Sequence, residues 1–203
     1  MNTAKLYRLI ADNRGAIRED VYAELFEIVN EEIAKEAEKK AGRKANVRNA
    51  VKKFLSKDES RPILKKANVL EIDGVTYYGY CDGFKLAWSP IDFGFGVNTP
   101  EESLKFGNVL NIKYRGEKSS VKVDTEFKTN LNIAIKTATD RYRIPFDIDC
   151  GEGHIIRVNA KYLQACLDFT EADEIVVDMG SEANPLVMYG KEDRNALLLP
   201  IRR

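Results

Sequence analysis

The sequence is poor in the residues that mark a disulfide-stapled or metal-binding domain. It contains only three cysteines and one histidine among 203 residues. Cys81, Cys150 and Cys166 are too few and too widely spaced for a disulfide framework, and they form no CxxC pair of the kind found in zinc sites. We therefore expect reduced cysteines that pack as small apolar side chains, with no metal and no cofactor.

Long hydrophobic runs and a net charge are also missing. No apolar stretch approaches the roughly 20 residues that cross a bilayer, and the first residues lack the apolar core of a signal peptide. Basic and acidic residues number 32 each, so the formal charge is zero. These absences predict a cytoplasmic protein without a membrane partner. Charge balance over the whole chain can still hide local patches of one sign.

Catalytic signatures are absent as well. The sequence has no GxxxxGK[ST] phosphate loop, no GxGxxG after a strand, no HExxH and no GxSxG. His154 follows Gly153 without a neighbouring Cys, Asp or Ser motif that would make it a base. Asp147, Asp149 and Glu152 lack the full run of ligands of an EF-hand calcium loop, so a solvated turn is the favoured interpretation. We therefore predict that the protein is not an enzyme.

What the sequence does contain begins with helical periodicity. Apolar residues recur at helical spacing up to about residue 56, which predicts an N-terminal helical arm over residues 1–45 and a helix that opens the next domain. Residues 19–38 are mostly acidic, whereas residues 39–53 hold basic residues and no acid. A solvated helix surface and a phosphate-facing surface are both consistent with this basic block.

Residues 46–88 predict one helix followed by three antiparallel strands. Runs of β-forming residues flank Asp73-Gly74, and an Asp-Gly pair in that setting is the strongest short-range hairpin signal. Asp82-Gly83 repeats the turn before a third strand. The aromatic residues of this region could provide a stacking platform for single-stranded nucleic acid, but alternation along β-strands favours a core role for several of them. They are Tyr77, Tyr78, Tyr80 and Phe84.

Residues 155–203 predict the same order after one leading strand. Asn159 can cap a helix whose apolar positions repeat at helical spacing, and three strands follow up to Ile201. A further helix is predicted after Asp124, within an insertion near residues 95–150. Together these patterns indicate an α+β domain over residues 46–203. It would consist of two half-units, each a helix with an antiparallel sheet.

Two stretches resemble the bacterial DNA polymerase III beta subunit, which is the DNA sliding clamp. The first ends in Cys81-Asp82-Gly83-Phe84-Lys85-Leu86-Ala87, where the family's middle domain carries Thr-Asp-Gly-His-Arg-Leu-Ala. The second closes on Leu199-Pro200-Ile201-Arg202, similar to the Met-Pro-Met-Arg-Leu type of tail that ends the family's last domain. The resemblance covers about half of the chain. It implies a reduced, single-domain relative of the kind that a phage or mobile element would carry.

This resemblance implies a clamp-like protein of DNA replication or repair. In the family, the helices line duplex DNA and the sheets lie outside. Contacts to phosphates carry no base information, so the binding would be independent of sequence. The candidate DNA-binding residues are Arg43, Lys44, Arg48, Lys52, Lys53, Lys128, Lys136 and Lys161.

The resemblance also implies a pocket for a short hydrophobic peptide of replication or repair proteins. Apolar walls with one or two cations would suit a peptide that carries Leu or Phe and an acidic group. Lys85 stands where the family has Arg, so planar bidentate pairing is lost there. The positions that match the family's pocket are Cys81, Gly83, Phe84, Lys85, Leu86, Leu199, Pro200, Ile201 and Arg202.

Two functions therefore stay open. The first is a sliding-clamp-like protein that binds duplex DNA, tethers partner peptides, or does both. The second is a protein-interaction module that keeps the clamp-like fold and does not encircle DNA. A ring of single-domain subunits would need a closed homo-oligomer of about six copies if six domains complete it. A stable monomer or simple dimer would favour the interaction module.

Overall fold

The computed structural model describes residues 46–106, 117–140, 143–181 and 183–201, together with residues 21, 22, 24, 25, 28, 29 and 42. Those seven residues of the N-terminal arm are helical. The chain divides into two compact units, Met1–Val47 and Arg48–Arg203. Several predicted features lie outside the described residues: most of the helical arm, part of the insertion near residues 95–150, and the candidate site residues Arg43, Lys44 and Arg202.

Short antiparallel strands make up most of the second unit. Its helical segment ends at residue 52. The strands are β1 (Asn68–Ile72), β2 (Val75–Cys81), β3 (Lys85–Ser89), β4 (Lys118–Lys122), β5 (Pro145–Asp149), β6 (Ile155–Asn159), β7 (Glu174–Asp178), β8 (Leu186–Tyr189) and β9 (Asn195–Leu198). The helices are α1 (Thr125–Thr137) and α2 (Ala160–Thr170). No helix of the described part is long and apolar enough to cross a bilayer.

One seven-stranded sheet joins the two predicted half-units. Its strand order is β1-β2-β3-β9-β8-β7-β4, and β5 and β6 form a separate two-stranded sheet. β3 pairs with β9 so that Lys85 faces Leu198 and Trp88 faces Asn195. The β1–β2 hairpin turns at Asp73 and Gly74, whose φ angles of 51° and 77° are those of a primed hairpin turn. The predicted α+β fold with helix-plus-sheet half-units is confirmed.

α2 packs on the large sheet and supplies the centre of the core. Asn159 caps it as predicted, because its Oδ1 accepts a hydrogen bond of 3.0 Å from the backbone N–H of Lys161. Leu163, Cys166 and Phe169 have no exposed surface, and the helix contacts β9, β3, β8 and β6. The helical spacing of these apolar positions therefore predicted the buried face correctly.

The C-terminal tail differs from the prediction. β9 ends at Leu198 rather than continuing to Ile201, since a proline follows Leu199 and a proline has no N–H for a strand ladder. The Leu199 N–H donates instead to the Phe84 carbonyl at 3.0 Å, and the Ile201 N–H donates to the Arg157 carbonyl at 2.8 Å. The tail thereby links the start of β3 to β6.

Of the acidic residues expected in a solvated turn, Glu152 lies in an exposed turn as predicted, whereas the other two lie in a strand. Asp147 and Asp149 belong to β5, which pairs with β6. Both carboxylate oxygens of Asp147 accept hydrogen bonds of 2.6 Å from the Arg157 guanidinium on the neighbouring strand. A cross-strand charge pair of this kind favours the hairpin over an open turn.

Gly190 is a position where the fold requires glycine. A Cβ placed there would lie 2.0 Å from the Thr170 carbonyl oxygen and 2.6 Å from the Arg194 carbonyl oxygen. We expect Gly190→Ala to lower the free energy of unfolding by about 3 kcal/mol, as overpacking against rigid backbone does. Urea denaturation measures this. The control is Gly42→Ala, because no atom lies within 4 Å of its added Cβ, and an equal loss in both variants would contradict the prediction.

Candidate functional site

A cavity of about 570 Å³ lies where the C-terminal tail bridges β3 and β6. Its volume falls within the range of protein ligand pockets. We call it the tail pocket. It is lined by Gly83, Phe84, Arg143, Asn159, Tyr162, Ala183, Leu199, Pro200 and Ile201.

Five of the nine residues that the resemblance assigned to a peptide pocket line this cavity. These are Gly83, Phe84, Leu199, Pro200 and Ile201. Cys81 is half-buried behind them, and its Sγ accepts from the Gly83 N–H at 3.2 Å. Leu86 packs in a core cluster with other apolar side chains of the sheet. The pocket therefore gathers the two sequence motifs, although not every residue of either motif faces it.

Lys85 is placed beneath the pocket rather than on its surface. Its side chain is 3% exposed and pairs with the Asp82 carboxylate. The ammonium lies 4.4 Å from the centre of the Tyr162 ring and 5.3 Å from the centre of the Phe54 ring. These are cation–π distances. Lys85 therefore satisfies its charge entirely with groups of this chain.

Tyr162 connects the buried lysine with the surface of the pocket. Phe84 stacks on its ring, with ring centres 5.8 Å apart and an angle of 27° between the planes. Burial raises the pKa of Tyr162, and the negative charge of Asp82 raises it further. The Tyr162 hydroxyl is therefore protonated at neutral pH and can donate a hydrogen bond.

Four residues of the tail pocket were not assigned to it from the sequence: Arg143, Asn159, Tyr162 and Ala183. Arg143 and Ala183 lie in connecting segments that neither motif includes. Tyr162 follows Lys161, which was predicted from the sequence to bind DNA. The sequence signal for Tyr162 as a pocket residue was an aromatic residue in the first turn of α2. Helical spacing alone, however, assigns such a residue to the core.

All but one of the described basic residues that were predicted to face DNA lie on helices, and the exception, Lys53, lies in the turn after the first helical segment. Lys52, Lys128, Lys136 and Lys161 are exposed. Two side chains of this set make contacts within the chain that would compete with DNA. Lys53 Nζ pairs with Asp168 Oδ2 at 2.9 Å. Arg48 Nε donates to the Phe93 carbonyl at 3.0 Å, and its guanidinium lies 4.7 Å from the centre of the Phe95 ring.

The described residues contain no arrangement that resembles a catalytic centre. No three His, Cys, Asp or Glu side chains among them converge as a metal site. Burial raises the pKa of the Cys81 and Cys166 thiols and raises that of Cys150 to about 11. Thiols with raised pKa values are poor nucleophiles at neutral pH. His154 Nε2 is buried and has no hydrogen-bond partner among the residues that the structure describes.

Comparison with known proteins identifies the architecture. No family model and no curated protein sequence matches the chain, but solved structures do. The Caulobacter crescentus beta sliding clamp matches with a TM-score of 0.58 at 13% identity, over 79% of this chain and 63% of that one. The Bacillus subtilis DNA polymerase sliding clamp matches with 0.55 at 15% identity, over 79% and 62%. This chain has the fold of a bacterial sliding clamp.

A third solved structure shows the same likeness. The DnaN sliding clamp of Bartonella birtlesii, bound to griselimycin, matches with a TM-score of 0.56 at 13% identity, over 78% of this chain and 64% of that one. The chain thus matches less than two thirds of the length of these clamps. The resemblance inferred from the two motifs is confirmed for the fold, which is all that identity this low establishes.

The buried ion pair between Lys85 and Asp82 should contribute to the stability of the fold. We expect Lys85→Met to lower the free energy of unfolding by about 3 kcal/mol, because the Asp82 carboxylate would lose its cation in a largely buried site. The double variant Asp82→Asn/Lys85→Met should recover part of this loss, since no unpaired charge remains. Urea denaturation of the two variants provides the comparison. A double variant less stable than Lys85→Met would show that the ion pair is not the cause.

Proposed function

We propose that this chain is a non-enzymatic, clamp-like protein whose tail pocket tethers a partner through a short hydrophobic peptide. The observation that carries the proposal is the convergence of exposed apolar side chains on one cavity. Phe84, Leu199 and Ile201 expose 56%, 40% and 36% of their surface, and all three line it. Contiguous apolar surface of this kind marks binding sites in soluble proteins.

Contacts within the chain hold the walls of the pocket in place. The tail is fixed at both ends by backbone hydrogen bonds, from Leu199 to Phe84 and from Ile201 to Arg157. Phe84 is held further by its stacking on Tyr162. A preformed site loses little conformational entropy when it binds, which favours affinity for a small segment.

One of the solved clamps has a feature that supports this proposal by analogy. The Caulobacter crescentus clamp structure has polyethylene glycol bound at a putative beta-motif tethering region. Tethering is the activity proposed here for the tail pocket. The analogy joins proteins of the same fold, and the residues that carry it in this chain are those of the pocket.

Replacing one apolar wall tests the pocket directly. A fluorescein-labelled peptide, Gly-Asp-Leu-Leu-Phe, should bind the wild-type protein, and Ile201→Ser should weaken its binding about tenfold because an apolar contact is lost. Ile133→Ser is the matched control, since Ile133 is an exposed isoleucine of α1 outside the pocket. Fluorescence polarisation measures both. Equal affinity of the two variants would argue against the pocket as the peptide site.

A second function, sequence-independent binding of duplex DNA in replication or repair, is supported by the exposed lysines of the helical surfaces. Lys52 and Lys161 come from the helices of the two half-units, as the clamp resemblance implies for DNA-facing residues. The ion pair between Lys53 and Asp168 argues against DNA binding, since the Asp168 carboxylate neutralises one of the predicted DNA-facing cations. The peptide-tethering proposal does not depend on DNA, so the alternative of an interaction module that does not encircle DNA stays compatible with it.

The ion pair offers a sharp test of DNA binding. Asp168→Asn should strengthen duplex binding at low salt by freeing Lys53, whereas Lys52→Gln should weaken it and reduce the salt slope by about one. Lys57→Gln is the control, because Lys57 is an exposed lysine outside the helices. Electrophoretic mobility shifts over a salt series measure these effects. A wider test neutralises five residues of the basic block together, and an unchanged affinity for duplex DNA would exclude a role of this block in DNA binding. The five residues are Arg43, Lys44, Arg48, Lys52 and Lys53.

A further inference from the structure

The two described edge strands of the large sheet are protected in different ways. β4, at one edge, carries Lys118 and Lys122, and lysines on an edge strand disfavour pairing with another chain. β1, at the other edge, has the sequence Asn-Val-Leu-Glu-Ile and contains neither lysine nor proline. A strand of this composition invites the addition of another strand. The protection of β1 therefore comes from outside the strand.

Residues 96–104 supply that protection, and we call this segment the edge cap. The Ala67 N–H donates to the Gly96 carbonyl at 2.9 Å, and the Asn98 N–H donates to the Ala67 carbonyl at 2.8 Å. These two bonds form a parallel β-bridge between Ala67 and Val97. Ala67 lies directly before β1, so the cap uses both backbone groups at the entrance of this edge.

A serine hydroxyl of the cap occupies the next outward-facing group of the edge. Ser103 Oγ accepts a hydrogen bond of 3.1 Å from the Val69 N–H and donates one of 2.9 Å to the Thr99 carbonyl. Thr99 and Glu102 support this turn, because each side chain accepts a hydrogen bond from the backbone N–H of the other. The Val69 N–H, which an added strand would need, is therefore already in use.

Two asparagines fix the register of the cap on β1. Asn68 and Asn98 are both buried. Asn98 Nδ2 donates to Asn68 Oδ1 at 3.1 Å and to the Ile63 carbonyl at 2.9 Å. The Leu104 N–H also donates to Asn68 Oδ1, at 3.0 Å. A buried amide that loses its partners is costly, so the cap fits the edge in one register and is held there.

The end of the cap is anchored in the core. Leu104 and Phe106 pack in the apolar cluster that contains Leu70 of β1 and Trp88 of β3. Burial of these side chains favours the closed position of the cap. The cap is therefore held by hydrogen bonds along the edge of β1 and by apolar burial at its end.

We propose that the edge cap is an autoinhibitory contact that keeps β1 from pairing with β1 of a second copy of this chain. The charges favour a second copy as the occupant: Lys66 precedes β1, whereas Glu71 and Asp73 lie at its other end, and all three are exposed. Antiparallel pairing of two β1 strands brings the basic end of each beside the acidic end of the other. Such a contact relates the copies by a two-fold axis and closes at a dimer. The inference does not rest on peptide tethering.

Removal of the Ser103 hydroxyl tests whether the cap is held as described. Ser103→Ala should speed hydrogen exchange at the Ala67 N–H about fivefold, as expected for one lost hydrogen bond. Ala67 is the reporter because its own bond to the Gly96 carbonyl is kept in the variant. Ser181→Ala is the matched control, since Ser181 Oγ also accepts a backbone N–H, that of Ala183. NMR measures the exchange rates.

Self-association provides the second measurement. Both copies must release the cap before their β1 strands pair, so the association constant should rise with the square of the opening, about 25-fold for Ser103→Ala. Adding Val69→Pro should cancel this rise, because proline removes the N–H that faces an added strand, at a position where an edge strand tolerates it. Sedimentation equilibrium of the wild-type protein and the two variants gives the constants.

A stronger variant extends the comparison. Asn98→Ala/Ser103→Ala removes a second attachment of the cap and should raise both the Ala67 exchange rate and the association constant further. Where this variant fails to fold, Ser103→Ala carries the test alone, since Ser103 is only half-buried. Ser181→Ala should leave both quantities at their wild-type values.

Four results would overturn the inference. Faster Ala67 exchange without stronger association would show that the opened edge does not take a second copy. Association that rises in proportion to the opening, rather than to its square, would show that only one of the two edges opens. Association that persists with Val69→Pro would place the contact on another surface. Unchanged exchange at Ala67 in the cap variants would show that residues 96–104 are not held as a cap.

Discussion

The antiparallel pairing of β3 with β9 is the constraint on which the candidate site depends. β3 belongs to the first half-unit and β9 to the second, and their ladder places the two half-units in one sheet. Bringing together two strands so far apart in the sequence costs loop-closure entropy, and burial of Leu86 and Leu197 in the ladder offsets part of that cost. Phe84 precedes β3 and Leu199 follows β9, so the hydrogen bond between them continues the ladder to the rim of the tail pocket.

The same geometry couples the stability of the fold to the shape of the site. α2 turns Leu163 and Cys166 into the core and presents Tyr162 to the pocket. Asp82 accepts hydrogen bonds from the backbone N–H groups of Phe84 and Lys85 and also pairs with the Lys85 ammonium. A desolvated carboxylate is tolerated because each of these donors compensates part of its lost hydration. The turn that begins β3 therefore also fixes the pocket wall.

The elements of the fold were predictable where local chemistry decides them. Asp73-Gly74 required a tight turn, and Asp124 and Asn159 offered oxygens to the first N–H groups of α1 and α2. The position of Lys85 was not predictable in this way. Every residue of β3 is buried, so alternation along the strand cannot tell which side chains face a pocket and which face the core. Arg143 lines the pocket only because the tertiary fold brings its segment there, and no local sequence pattern predicts that placement.

The β1 edge of the large sheet determines how readily a neighbouring copy of the chain could extend the sheet and so help to form a ring. A strand that joins a sheet must find free backbone groups along its edge. On the outer side of β1, the Val69 N–H already donates to Ser103 Oγ at 3.1 Å, and just before the strand the Ala67 N–H donates to the Gly96 carbonyl at 2.9 Å. Residues 96–104 thus occupy much of this edge, and a neighbouring copy could extend the sheet here only by displacing them. The tail pocket uses none of these groups. The described residues that line it all belong to one chain, so the proposed peptide tethering does not require encirclement of DNA.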